Sequence, residues 1–404
     1  MICIIGGGAS GMMAGIAAAR CGGKALILER NGRLGKKLLA TGNGRCNFTN
    51  VNLAVENYHG QNPAFSQGAL RRFSPRQTLD FFANLGVVPK VEDDGRVFPA
   101  SNQAASVLDL LRWELEALGV EVRLETPVYD INLPPFTVRL PEDSLQAEKV
   151  ILATGGKAYP QSGSDGSGLE LAQKLGHSII KPRPALVQLQ LGGVHPQLAG
   201  IKIQAQVQLL TGGAPTEREG ELLFTNYGLS GLPALALSRQ AGEMLSQGKR
   251  PHVAINLVPG FSQGELERAL ASRLCKQPGR PLGRLLAGWL PTKLGETLIS
   301  AAKLSPVSPS GALTAAQLHK LSGLMLGWRF PVTGLLGWQH AQVTAGGVDV
   351  SQVNPGTMES RLVKGLYFTG EILDLDGDSG GYNLQWAWSS GYLAGLKAAQ
   401  SLGH

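Results

Sequence analysis

The sequence predicts an α/β fold: a parallel-sheet domain assembled from both ends of the chain, with a β-rich insertion between them that carries a small helical subdomain. Three observations lead there. A strand, a glycine turn, a helix and a second strand follow one another in Met1–Glu29. Apolar strands ending in small residues recur at 149–156 and again, far along the chain, at 365–371. From about Pro184 to 340 the texture changes to strands and helices punctuated by Gly and Pro.

Ile2-Cys3-Ile4-Ile5 is apolar and of strand length, and Gly6-Gly7-Gly8-Ala9-Ser10-Gly11 follows it directly. Met12–Arg20 is rich in Ala and Met, as a helix should be, and Ala25–Leu28 returns as a strand ending at Glu29. Strand, Gly-x-Gly-x-x-Gly, helix, strand and acid stand in the order that a Rossmann-like dinucleotide-binding unit requires. Gly6 suits the tight turn, Gly8 lets a pyrophosphate approach the backbone, and Gly11 lets helix and strand pack closely. The first-turn amides then face the phosphates with the positive end of the helix dipole. Residues 1–19 carry no charge, yet five glycines and the immediate return of a strand argue against a membrane span or a signal peptide.

Arg33–Asn47 is too rich in Gly, Asn and cations for a core element and suits a loop laid along an anionic ligand. Ser74–Leu85 reads as a helix capped by Ser74, with Pro75 in its first turn. Strand-like pieces flank the turn Glu92–Gly95, and Asn102–Leu118 is an amphipathic helix with Val107, Leu110, Leu111 and Leu115 on one face. Val120–Leu124 alternates like a strand, and 126–133 with 137–140 suggest a small antiparallel addition. Lys149–Gly156 repeats the opening pattern, which places Thr154-Gly155-Gly156 at the ligand-facing edge of the sheet. Ser164–Gly176 holds a glycine-rich turn and a short helix.

In the insertion, Val187–Leu191, Ile201–Leu210, Glu221–Phe224 and His252–Leu257 read as strands. Ser262–Cys275, Leu282–Leu290, Thr292–Lys303 and Thr314–Leu321 read as helices of a subdomain at about 262–321. The expected domains are therefore 1–183 with 341–404, and 184–340. Gly365–Glu371 is again a strand ending in Gly and acid, and an Ala-rich helix from about Leu384 to Ser401 opens behind Gly380-Gly381-Tyr382-Asn383.

Composition narrows the class. The chain is 43% hydrophobic and 17% charged, as in an ordinary soluble globular protein. Cys3, Cys21, Cys46 and Cys275 are scattered, which excludes a zinc ribbon or disulfide framework and points to a reducing, cytoplasmic setting. The net charge of +7 favours anionic ligands or simply solubility. Basic residues fall in small groups (Arg33/Lys36/Lys37, Arg71/Arg72/Arg76, Arg280/Arg284) without interleaved aromatics, so nucleic acid is not an expected partner.

Taken together, these motifs resemble the bacterial FAD-dependent oxidoreductases of the aminoacetone oxidase-like group, which includes flavoproteins assigned to bile-acid dehydroxylation. That group sits within the wider glutathione reductase/fumarate reductase flavoprotein class. The resemblance is carried along the whole chain by Gly6–Gly11, Thr41–Asn50, Ala153–Gly156, Glu221–Gly231, Val343–Val348 and Gly370–Asn383. It implies a non-covalent FAD with Gly6, Gly8, Ala9, Ser10 and Gly11 at the pyrophosphate and Glu29 at the adenosine ribose. Val128 would contact adenine, Ala153, Thr154, Gly155 and Gly156 would line the cofactor, and Gly370 and Glu371 would reach the ribityl chain. Gly381, Tyr382 and Asn383 would meet the flavin ring. Arg30, Lys36, Lys37, Thr41, Gly42, Asn43 and Arg45 complete the cofactor-binding candidates. Leu232-Pro233-Ala234 replaces the usual Gly-Pro-Ala, and Gly163–Gly168 looks shortened; both bear on the substrate pocket.

Amides at the start of the closing helix would stabilise the negative charge of reduced flavin. Cys46 lacks a second cysteine nearby and reads as a buried or pocket-lining thiol. His59, His195 and His340 are isolated, and the acids Asp374, Asp376 and Asp378 lack the spaced glutamate of a calcium loop, so no metal is expected. Tyr159 and Tyr382 are candidate proton donors, with no catalytic residue assigned. Only one dinucleotide fingerprint is present, so NAD(P)H would bind transiently. The leading reading is a FAD oxidoreductase acting on a small organic substrate, re-oxidised by oxygen or reduced by NAD(P)H. A flavin-dependent tRNA-modifying enzyme and a non-catalytic redox sensor stand behind it. The oligomeric state is not legible.

Overall fold

The computed structural model describes every residue except Pro134, Gly213, Ala214, Gly403 and His404. The last two of these end the range 341–404. The chain divides into two compact units, Met1–Pro184 with Ala341–His404, and Ala185–His340.

The first unit is built on a five-stranded parallel sheet. Its order is Leu366–Phe368, Lys149–Leu152, Ile2–Ile5, Ala25–Leu28 and Glu121–Arg123. The register sets Ile4 opposite Ile151 on one side and Ile27 on the other. All three side chains are fully buried, as a parallel sheet covered on both faces demands. The helix Ala9–Arg20 packs against the closing helix Tyr382–Gln400 and against Ala104–Ala117. Pro75–Asn84 begins with a full capping box between Ser74 and Gln77. The antiparallel addition has three strands, Asp130–Asn132, Phe136–Arg139 and Ser144–Ala147.

The second unit contains a closed six-stranded antiparallel barrel. Its order is Leu189–Leu191, Gly228–Ser230, Thr216–Phe224, Lys202–Leu210, His252–Asn256 and Trp328–Leu335. Leu189–Leu191 pairs with both Gly228–Ser230 and Trp328–Leu335, which closes the ring and leaves no open edge. Along Lys202–Leu210 the inward Ala205, Val207 and Leu209 are fully buried, and the residues between them are not. Leu232–Ser246 is a helix packed on the barrel. Gln263–Lys276, Thr292–Ala301 and Ala315–Leu326 form the helical part and bury Leu266, Leu270, Leu294, Leu298, Leu321 and Met325. The helix expected over Leu282–Leu290 is only a three-residue 3-10 turn, Leu282–Arg284. Hydrogen bonds from Leu282 N–H to Ser308 O and from Gly283 N–H to Pro306 O hold this stretch to a neighbouring segment instead.

Candidate functional site

The carboxyl ends of the central strands carry the glycine turn, Glu29, 153–156 and Gly370–Glu371. Gly6 has φ +104°, and a Cβ on Gly11 would lie 1.9 Å from Gly6 O, so the turn closes only with glycine at both positions. At Gly8 the situation reverses: a Cβ there would meet nothing within 4 Å. Gly8 is the N-cap of Ala9–Arg20, so the backbone is uncrowded at the positive end of that helix, where a pyrophosphate would approach. Ala9 and Ser10 stand in that turn, and Ser10 Oγ donates to Thr369 O at 3.4 Å, tying it to the last strand.

Glu29 is buried at the end of its strand. Its Oε2 accepts from Gly7 N–H at 2.8 Å, and Oε1 accepts from Asn31 N–H at 2.8 Å and Asn31 Nδ2 at 2.7 Å. The carboxylate is thus fixed in orientation, and Oε2 retains acceptor capacity for a ribose hydroxyl. Val128 is half-buried near this point, because Thr126 N–H donates to Glu29 O at 2.9 Å. The Arg30 guanidinium pairs with Asp165 at 2.6 Å and reaches Ser167 Oγ at 3.3 Å.

The basic loop is more ordered than its composition implied. Leu38–Gly44 forms 3-10 turns broken by left-handed Gly42 and Asn43, both at φ +57°. Buried Leu34 and Leu38 pin it to the core. Thr41 Oγ1 donates to Leu38 O at 2.6 Å. Arg45 pairs with Glu92 at 3.1 Å, and its guanidinium lies 3.9 Å from the centroid of the Phe98 ring. Lys36 is exposed. Lys37 Nζ meets Glu371 Oε2 at 2.6 Å, which joins the loop to the last strand.

Glu371 belongs to a network that the sequence did not reveal. Its Oε1 accepts from Thr344 N–H at 3.0 Å and Thr344 Oγ1 at 2.8 Å, and Thr344 Oγ1 accepts from the amides of Lys157 and Ala158. Thr344 thereby ties the chain after Ala153–Gly156 to the C-terminal strand region. It lies in a motif quoted above, but nothing in the residue type announced this role; the same holds for Asn31 beside Glu29. Gly370 N–H donates to Ser390 Oγ at 2.9 Å.

The closing helix begins at Tyr382, two residues earlier than expected, behind left-handed Gly381 at φ +99°. Its first amides have no partner within the helix and form a second positive terminus. Asn383 spends its side chain on the preceding loop: Oδ1 accepts from Gly377 N–H at 2.8 Å, while Nδ2 donates to Gly377 O at 2.8 Å and Asp378 O at 3.2 Å. Burial, then the charges of Asp378 and Asp94, raise the Tyr382 phenol above its ordinary pKa. Asp378 also holds His59 Nε2 at 2.8 Å, so His59 is not isolated. Cys46 is fully buried, and burial pushes its thiol up to about 12.

Residues 1–397 match the family model described as HI0933-like protein Rossmann domain. This chain belongs to the HI0933-like family. It is 42% identical over 404 residues to the 3-dehydro-bile acid delta(4,6)-reductase of Clostridium scindens, with 98% of each chain covered. It is 34% identical over 407 residues to the ribosomal RNA dihydrouridine synthase of Escherichia coli, again with 98% of each covered. Among solved structures, the 3-ketosteroid delta1-dehydrogenase of Sterolibacterium denitrificans shares the fold, with TM-score 0.54, 14% identity and 99% of each chain covered. Membership of the HI0933-like family establishes the Rossmann-like class, and the chain is an FAD-dependent oxidoreductase. The name of the Escherichia coli relative removes the ground on which nucleic acid was excluded as a partner. No helix among the described residues is long and apolar enough to cross a membrane.

Proposed function

We propose that the first unit holds one FAD non-covalently, and that the chain reduces a carbon–carbon double bond conjugated to a carbonyl in a small organic substrate. NAD(P)H, bound transiently, is the proposed electron source. The observation that carries the binding half is the open cradle at Gly8, with Glu29 fixed beside it and the first-turn amides facing it. In this reading Gly6–Gly11 take the pyrophosphate and Glu29 the ribose. Lys37, Glu371 and Thr344 brace the middle of the site, and Gly381–Asn383 stand at the ring.

The chemistry of the relatives supports the second half. A delta(4,6)-reductase acting on a 3-dehydro bile acid adds hydrogen across an enone, and dihydrouridine forms by adding hydrogen across the uracil double bond. Both alkenes are conjugated to a carbonyl. Bound flavin supplies hydride chemistry at carbon. The chain must orient the substrate, hold negative charge at the helix terminus and deliver a proton to the carbon beside the carbonyl. Tyr382, at the first position of the closing helix and kept protonated at neutral pH, is our candidate donor. The more similar relative favours an enone of steroid type; the Escherichia coli relative favours uracil as the second reading.

Purified protein should be yellow, with about one FAD per chain released into the supernatant by acid precipitation. NADPH should bleach it in the absence of oxygen. Flavin retained in the pellet, FMN in place of FAD, or an oxidised flavin that NADPH leaves untouched would overturn the proposal.

A further inference from the structure

Where the helix Ser66–Arg72 packs on the closing helix, the first unit carries a cleft of about 390 Å³. Gly68, Arg71 and Arg72 line it from the shorter helix, Leu393 and Lys397 from Tyr382–Gln400, and Gly356 from a turn at 354–357. A Cβ on Gly68 would lie 2.0 Å from Pro355 O, so this turn sits directly on the shorter helix. Gly356 N–H donates to Asn354 Oδ1 at 2.9 Å and fixes the turn's conformation.

Three of the six lining residues are cations, and none is a carboxylate. Arg71 and Arg72 are exposed, Lys397 is half-buried and Leu393 is buried. Arg71 Nη2 donates to Gln67 Oε1 at 2.9 Å and Lys397 Nζ to Gln400 Oε1 at 3.0 Å, both neutral partners. Arg72 makes no side-chain hydrogen bond or ion pair among the described residues. Each cation stands in the last turn of its helix, where it offsets the negative end of the dipole. One cation per helix end serves that purpose. Three drawn to one cleft repel one another, and no lining carboxylate relieves the repulsion.

We propose that this cleft binds the phosphate group of a small organic phosphate. Two guanidinium forks and an ammonium match a dianion with three terminal oxygens better than a carboxylate, which a single fork saturates. Sites for organic ligands span roughly 300–1,000 Å³, so the cleft has room for a carbon skeleton along Leu393 as well as the phosphate. Lys397 lies fifteen residues beyond Tyr382 on the same helix, a rise of about 22 Å. The cleft is therefore separate from the helix start proposed for the flavin ring, and the proposal is independent of what the flavin site holds.

The test is thermal unfolding and calorimetric titration of the protein as purified with its FAD. The probes are glycerol 3-phosphate, inorganic phosphate, citrate, and phosphatidylcholine vesicles with and without phosphatidic acid. A ligand that binds only the folded state raises the melting temperature. R71E/R72E should weaken binding at least about tenfold and abolish that rise, whatever the variant's own melting temperature. K397M should weaken it at least about threefold, and R71K/R72K, which keeps the charge but loses the forks, should fall between parent and R71E/R72E. If R71E/R72E does not fold, R71Q/R72Q carries the same comparison. FAD content and the flavin spectrum should be unchanged in every variant. Saturation by glycerol 3-phosphate identifies a free metabolite, and binding confined to phosphatidic acid vesicles identifies a lipid headgroup; either upholds the site when the variants abolish it. No binding of any phosphate probe, equal binding by R71E/R72E, or citrate bound as tightly as the phosphate probes would overturn it.

Discussion

Asn383 shows how a residue's type can suggest one role and its bonds another. By sequence it is a group at a helix start facing a flavin; in the fold its amide bridges both backbone groups of Gly377. Asn383→Asp would replace two donated bonds by a carboxylate set against the carbonyls of Gly377 and Asp378. We expect it to cost about 1–3 kcal/mol of stability, read as a lowered urea midpoint, so any shift in flavin potential must be measured on variants that keep their FAD. An unchanged midpoint would show that the staple carries no weight. The thiols give a second residue-level prediction. Burial pushes both Cys3 and Cys46 up to about 12, so both stay neutral thiols at pH 8, well below that value. Cys21 and Cys275 are exposed. A thiol-exchange dye should therefore titrate two cysteines in native protein and four in denaturant; rapid reaction of a third would place Cys46 on an accessible surface.

At the scale of elements, the two chain ends meet through the first and closing helices. A Cβ on Gly391 would lie 2.4 Å from Ser10 O, and one on Gly395 would lie 2.1 Å from Ala14 O. Two helices approach this closely only where small residues line the contact. Gly395→Ala should force them apart and destabilise the protein by about 1–3 kcal/mol, seen as a lower melting temperature with FAD loss at the same point. A variant as stable as the parent would contradict a close helix contact at Gly395. Four of the five parallel strands were legible as apolar runs leading into small residues, glycine or acid, and the fifth, Glu121–Arg123, by its alternation. Gly228–Ser230, Trp328–Leu335 and Leu232–Ser246 were not. Gly228–Ser230 is too short to show a period, Trp328–Leu335 contains Pro331 and Gly334, and the helix begins on Leu232-Pro233 directly after a glycine. Gly228–Ser230 and Trp328–Leu335 also pair with Leu189–Leu191, a barrel partner distant in sequence that local pattern does not report.

For the whole molecule, glycine spacing and strand order revealed the candidate site's frame, whereas its cross-braces emerged only from the fold. Gly6–Gly11, Glu29 and the closing Gly-Gly could be read off because their chemistry demands those residue types at that spacing. Thr344, Asn31 and the Lys37–Glu371 pair could not, because ordinary polar residues acquire such roles only when distant segments meet. The central claim is that electrons pass from NADPH through FAD held in the first unit to a carbon–carbon double bond conjugated to a carbonyl. One anaerobic experiment addresses it: protein reduced by a single equivalent of NADPH is mixed with a 3-keto-4,6-diene steroid or, in a parallel arm, a uridine-containing RNA, while the flavin spectrum and product mass are followed. The account predicts that the oxidised flavin spectrum returns in step with a product heavier by two hydrogens in one arm; flavin that stays reduced until air is admitted, with both substrates recovered unchanged, would contradict it.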